Sequence, residues 1–265
     1  MTKRHSLHLL RSFFIRGVFP VFLLSSLPPF DLHAGDEWGI LVFSRTAGFR
    51  HGSIPTGIEA VKQLGREHGF RVDASEDSAD FTPENLKRYR AVVFLNTTGT
   101  LFDEKQREAF KAFIRAGGGY VGIHSAADTE YDWPWYGKLV GAYFKNHPRI
   151  QQAEIEVENR RHPSTAHLPD GRWVRSDEWY NFRENPRPNV NILLALDPDT
   201  FEGSQMQGDH PIAWYHEYDG GRAWYTGGGH TNESFAEPGF LQHLLGGIRW
   251  AAGKAESGGT AKSRR

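Results

Sequence analysis

The sequence predicts an α/β fold built on a mostly parallel central sheet, and three observations carry that prediction. Near-continuous apolar runs, Trp38–Ser44 (WGILVFS) and Ala91–Asn96 (AVVFLN), have the pattern of strands covered on both faces. The segments between such runs repeat apolar residues at helical spacing. Gly, Pro and Asp punctuate the junctions, so strand and helix alternate as in right-handed crossover units. At 265 residues, 38% hydrophobic and 24% charged, the chain is long enough for one large domain with a sizeable core.

The elements follow in order. After the first strand comes the loop Arg45–Gly52. Ser53 is placed to cap a helix with Pro55 in its first turn and Ile58, Val61 and Leu64 on its buried stripe. Gly69 stops that helix, and Phe70–Ala74 is the second strand. Thr82-Pro83-Glu84 opens a short helix before the third strand, Ala91–Asn96. Asp103 caps the next helix, which carries Phe110, Phe113 and Ile114. Gly117–Gly119 ends it, and the strand Tyr120–Ile123 runs into His124-Ser125-Ala126-Ala127-Asp128, which reads as a sharp turn into a helix. Beyond Asp128 the rhythm changes. An aromatic loop, Tyr131–Tyr136, enters a helix through Leu139 and Val140. Gln152–Val157 alternates as a half-exposed strand, and Asp177–Phe182 is a polar–aromatic cluster. Asn191–Leu196 is a strand, and Ile212–Tyr218 with Arg222–Thr226 forms a hairpin around Asp219-Gly220-Gly221. Gly227-Gly228-Gly229-His230 leaves the sheet, and Phe240–Ala251 is the last helix.

The ends read differently. Lys3, Arg4, Arg11 and Arg16 precede the apolar run Val18–Leu24 and the small-residue end at Ala34, the order of a signal peptide. The expected organisation is a signal peptide at 1–34, one domain at 35–253 and a disordered tail at 254–265. The expected location is therefore periplasmic or extracellular. The apolar run is too short to span a bilayer, and no later stretch is long enough.

Charge and cysteine content exclude several functions. The net charge is -1, and residues 1–34 hold four basic residues and one acid, so the remainder stands at -4. Without a basic stripe, no nucleic-acid partner is expected. With no Cys, thiolate nucleophiles, thiolate metal sites and disulfides are excluded. No dinucleotide or phosphate-loop glycine motif follows the first strand.

In an open parallel sheet, ligands bind outside the carboxyl ends of the strands. Candidate residues gather at those predicted ends. His51 follows the first strand, and Asn96 and Thr97 the third. His124, Ser125 and Asp128 follow the fourth, and His230 follows the hairpin. His147, Glu178 and, more weakly, Glu233 join them from the loops. Each also has a plain structural reading as a cap, turn or packing residue. The chemistry open to this set is proton transfer by His124 and His230 with Glu178 or Asp128, since imidazole titrates near neutrality. A divalent metal held by His51, His124, His147 or His230 with a carboxylate is the alternative. Neighbouring H-E-x-x-H spacing is absent.

These same segments resemble the trehalose-utilisation (ThuA-like) family of the class I glutamine amidotransferase-like superfamily. The resemblance rests on Thr46–His51, Leu95–Gly99, Gly118–Asp128, Trp133–Gly141 with His147-Pro148, Asp177–Tyr180 and Gly228–His230, in order across about residues 38–252. It implies a flavodoxin-like three-layer fold and a role in carbohydrate use. Glutamine amidotransferases need a Cys at the turn where this chain has His124, so glutamine hydrolysis is excluded. The expectation is an exported enzyme acting on a sugar or (keto-)glycoside. His124, His230, Glu178 and Asp128 would carry the catalysis. His51, Asn96, Thr97, Ser125 and His147 would bind hydroxyls, and Trp133, Trp135 and Trp179 would stack on the ring. A non-catalytic carbohydrate-binding domain and a metal-dependent hydrolase or lyase are the alternatives. No cofactor is implied beyond a divalent metal, and oligomeric state is left open.

Overall fold

The computed structural model describes residues 38–254. The expected signal peptide, and the tail beyond Lys254, lie outside the described residues. The first half of the chain runs β1 (Gly39–Phe43), α1 (Ile54–His68), β2 (Arg71–Ser75), α2 (Pro83–Leu86), β3 (Ala91–Leu95), α3 (Glu104–Arg115), β4 (Gly119–Ile123) and α4 (Pro134–Val140). The second half runs β5 (Phe144–Asn146), β6 (Gln151–Val157), β7 (Trp173–Asp177), β8 (Asn181–Phe182), β9 (Asn191–Leu196), β10 (His210–Tyr218), β11 (Gly221–Thr226) and α5 (Pro238–Ala251).

Nine strands form one sheet in the order β2-β1-β3-β4-β11-β10-β9-β6-β7, and β5 pairs with β8 apart from it. The α/β fold expected from the sequence is observed, with helices packed on a large sheet. Strands β2, β1, β3, β4 and β11 are parallel. Strands β10, β9, β6 and β7 extend the sheet with antiparallel pairings. The parallel strands are where the apolar runs are continuous: β1, β3 and β4 are buried at every position. The antiparallel β6 and β7 alternate buried with more exposed residues, which marks one solvated face.

Local chemistry sets the junctions. Asp103 and Gln106 form a reciprocal capping box on α3. Gly69 closes α1 in the left-handed conformation. Asp219 and Gly220 both take positive φ in the β10–β11 hairpin, as a tight turn with right-handed strand twist requires. Much of the aromatic content is core packing. Phe43, Phe81, Phe94, Phe102 and Phe110 pack ring on ring beneath the parallel strands. Two expectations need correction. Ser53 makes no capping bond to α1, because its hydroxyl donates to the Gly229 carbonyl at 3.3 Å instead. The chain after β4 forms a 3-10 turn over His124–Asp128 rather than a regular helix. Strands β5, β7 and β8 have no clear sequence signal and appear only in the structure.

Candidate active site

The carboxyl ends of β1, β3, β4 and β11 converge, and so do the loops that follow them. At the end of β4 the backbone of His124 turns with φ +49°. That conformation costs a non-glycine residue about 1 kcal/mol and needs surrounding contacts to hold it. Those contacts come from β11, the residue after it and Tyr180. The Tyr225 hydroxyl donates to the His124 carbonyl at 2.8 Å. The His124 ring sits with Nδ1 2.8 Å from the Gly227 carbonyl and its face on Tyr180, centroids 4.1 Å apart. A carbonyl only accepts, so Nδ1 carries the hydrogen and Nε2 of the neutral ring is left with its lone pair.

That Nε2 meets two other side chains. It lies 3.2 Å from His230 Nδ1 and 3.5 Å from Glu178 Oε1, and His230 Nδ1 is 3.2 Å from the same Oε1. The other carboxylate oxygen, Glu178 Oε2, is 3.1 Å from Nδ1 of His147, whose side chain is 42% exposed. His51 closes the group edge-on, its ring centroid 4.9 Å from His124 and 5.0 Å from His230. Its Nδ1 is 3.3 Å from the Ser125 hydroxyl. One donor atom from each of His51, His124, Glu178 and His230 lies within 4.8 Å of the others.

The electrostatics follow from burial and proximity. Burial works against the Glu178 charge, but the neighbouring His124 and His230 imidazoles outweigh it and hold the carboxyl down to about 2. Burial lowers His230 as well, yet the Glu178 carboxylate overcomes it and raises the imidazole above its usual 6.5. His51 is pushed down to about 3, first by burial and then by His124 and His230, so it is neutral at pH 7.

One buried carboxylate holds the parts in register. Asp177 ends β7 and is fully buried. Its Oδ1 accepts the backbone N–H of Glu178 at 2.9 Å and of His230 at 3.1 Å. Its Oδ2 accepts from Gly229 N–H, the Ser234 hydroxyl and Arg175. The antiparallel half of the sheet and the loop after β11 are thereby tied together at the two residues that face each other in the site.

The sequence matches the trehalose-utilisation (ThuA) family over residues 39–251. The chain belongs to this family. Among solved structures, a ThuA-like protein from Bacteroides uniformis shares 28% identity over 83% of this chain and 94% of its own, with a TM-score of 0.69. A ThuA-like protein from Parabacteroides merdae shares 22% identity over 85% of this chain and 94% of its own, with a TM-score of 0.70. A β-galactosidase from Bacillus circulans sp. alkalophilus shares the fold at 14% identity and a TM-score of 0.54, over 84% of this chain and 32% of its own. No curated protein matches the sequence.

In this ThuA-family chain the residues singled out from sequence divide into three groups. His51, His124, Glu178 and His230 share one cluster, with Ser125 behind His51 and His147 at the lip. Asp128 lies outside the cluster of donor atoms and accepts the Tyr131 hydroxyl at 2.6 Å, and burial raises its carboxyl. Glu233 begins the 3-10 turn Glu233–Ala236 and is exposed.

The third group is tied into the surrounding packing. Asn96 is fully buried, and its amide donates to Ser53 and to the Gly229 carbonyl. It braces the glycine loop from below. Thr97 is buried against Thr129. Of the three tryptophans, Trp133 and Trp179 are buried and Trp135 is half-buried. Trp133 packs on Trp135 beneath Arg107, Trp135 donates to Asp219, and Trp179 is fully buried and donates to the Gln151 carbonyl.

Sequence reasoning missed Phe49. It is 67% exposed and meets the His51 ring edge-on at 4.9 Å. Its loop is fixed, since Thr98 Oγ1 donates to the Phe49 carbonyl and accepts from Gly48 N–H. The available signal was an aromatic between Gly48 and Arg50, directly before a candidate histidine. Asp177 was missed as an organiser because several hydrogen bonds to one carboxylate leave no pattern in sequence.

Proposed function

We propose that this chain is an enzyme of carbohydrate metabolism that moves protons on a sugar or (keto-)glycoside. The single observation that carries the reading is the position of Glu178. One carboxylate oxygen faces two imidazoles in the interior and the other faces an imidazole at the solvent edge. A carboxylate on Nδ1–H fixes the tautomer and orientation of an imidazole and stabilises its charged form, leaving Nε2 to exchange the proton. His230 is the acid–base residue on this reading, because the Glu178 carboxylate raises its pKa and 21% of its side chain is open to solvent. His124 faces the same carboxylate oxygen, its Nδ1 turned to the Gly227 carbonyl and its Nε2 toward the reacting group. His147 passes the proton between Glu178 Oε2 and water.

Phe49, exposed beside His51, takes the ring-stacking role. Family membership supports the sugar class, and the absence of Cys removes thiolate chemistry at the turn after β4. The signal-peptide reading of residues 1–34 adds that the reaction takes place outside the cytoplasm.

The test is a turnover screen of purified protein against glycosides and their 3-keto forms, followed by product analysis. At least one compound is expected to be converted. Saturable sugar binding with no conversion of any compound would overturn the enzyme reading in favour of a binding domain.

A further inference from the structure

We propose that His124, His230, Glu178 and His51 together hold one first-row divalent cation of the zinc type. This deepens the reading of the pocket given above and rests on it for what the ion would do there. The donor geometry stands by itself.

His124 Nε2, His230 Nδ1 and Glu178 Oε1 form a triangle with edges of 3.2, 3.2 and 3.5 Å. Ligands about 2.0–2.1 Å from a tetrahedral zinc stand roughly 3.3–3.4 Å apart, so the triangle has the size of one tetrahedral face. The fourth donor, from His51, lies within 4.8 Å of the other three.

Hydrogen bonding satisfies the triangle poorly when the rings are neutral. His124 spends its one ring hydrogen on the Gly227 carbonyl, so its Nε2 brings a lone pair. The carboxylate oxygen brings only lone pairs. His230 Nδ1–H can serve one of the two, and the remaining edge sets lone pair against lone pair. A cation at the centre satisfies every corner.

The surroundings are those of a ligand set. Metal-bound imidazoles usually donate their second N–H to a carbonyl or carboxylate, as His124 does to Gly227. The Asp177 carboxylate fixes the backbone of both Glu178 and His230. Three imidazoles and one carboxylate suit a borderline ion over magnesium or calcium, which prefer all-oxygen shells, and no thiolate is present to select a soft ion. A bound ion of this kind would polarise a sugar carbonyl or hydroxyl oxygen as a Lewis acid. It would occupy the place of the proton shared by His230 and Glu178. His147, on the other carboxylate oxygen, would then carry the proton transfer.

Untagged protein stripped with a chelator and titrated calorimetrically with zinc chloride tests this directly. One ion per chain is expected, with a melting temperature that rises with zinc concentration. Glu178→Gln and His230→Gln should each weaken binding at least about tenfold, a loss seen even for outer-shell partners. His68→Ala, on an exposed face at the end of α1, should leave binding unchanged. Cobalt substitution should give a visible absorption band that shifts in Glu178→Gln. Absence of saturable one-to-one binding, or binding that both cluster substitutions leave intact, would overturn the proposal. Sugar turnover by zinc-free, chelated protein would remove the metal and keep the enzyme reading. Zinc binding without turnover of any sugar would do the reverse.

Discussion

Phe49 is the residue at which exposure and position argue most plainly for contact with a ligand. An aromatic ring left 67% exposed on a loop pinned by Thr98 gains little from folding. Phe49→Ala is expected to raise KM for a converted glycoside about tenfold, the equivalent of roughly 1.4 kcal/mol of lost stacking, with kcat within about twofold. Phe49→Trp should keep KM near the parent value. Steady-state kinetics on the three proteins checks this. Asp177 is the residue with the largest consequence for structure. Asp177→Asn puts an amide NH2 where one carboxylate oxygen accepted N–H or O–H groups, and it leaves Arg175 without its fully buried counter-charge. The expected cost is about 3 kcal/mol in urea denaturation. The contrast between these two residues explains what was legible. The histidines could be found because a reactive residue type follows a predicted strand end. Phe49 and Asp177 act through exposure and through a hydrogen-bond hub, and neither has a sequence period.

At the level of elements, the parallel half of the sheet could be read from sequence because burial on both faces makes its strands continuously apolar. The antiparallel extension was partly hidden. Strand β7 alternates over only five residues, and β5 and β8 are two to three residues long, too short for a periodic signal. The elbow after β4 and the glycine loop after β11 are the elements that set the site. Gly229 has φ +110°, and a Cβ there would stand 2.9 Å from Ile123 Cγ2. Gly229→Ala should therefore cost about 1–3 kcal/mol of stability by chemical denaturation. It should also lower kcat, because His230 follows directly. A stability loss with unchanged kcat would show that the loop conformation matters to the fold alone.

For the whole molecule, the buried histidines predict a direction of pH dependence. His51 and His243 are lowered to about 3, and His162 to about 4, with burial the first cause in each. Their unfolded values are near 6.5, so below that the unfolded chain binds more protons. Stability is then lost as pH falls from about 6.5 toward 3. Glu178, lowered to about 2, works in the same direction from about 4.5 downward. His230 opposes it, since its raised value lends stability at acid pH that is lost as pH rises through that value. The urea midpoint is expected to drop steeply between pH 6 and 4, with His243→Phe flattening part of the slope. Among the described residues no helix is long and apolar enough to cross a membrane, and the family match runs through α5.

The kcat of Glu178→Gln on a converted sugar compound tests the central claim most directly. The substitution keeps shape and one acceptor oxygen while removing the charge that faces three imidazoles. The account predicts a fall of at least about a hundredfold in protein that still unfolds in one cooperative transition, the lower range for losing acid–base function. A variant that turns over at the parent rate would contradict it.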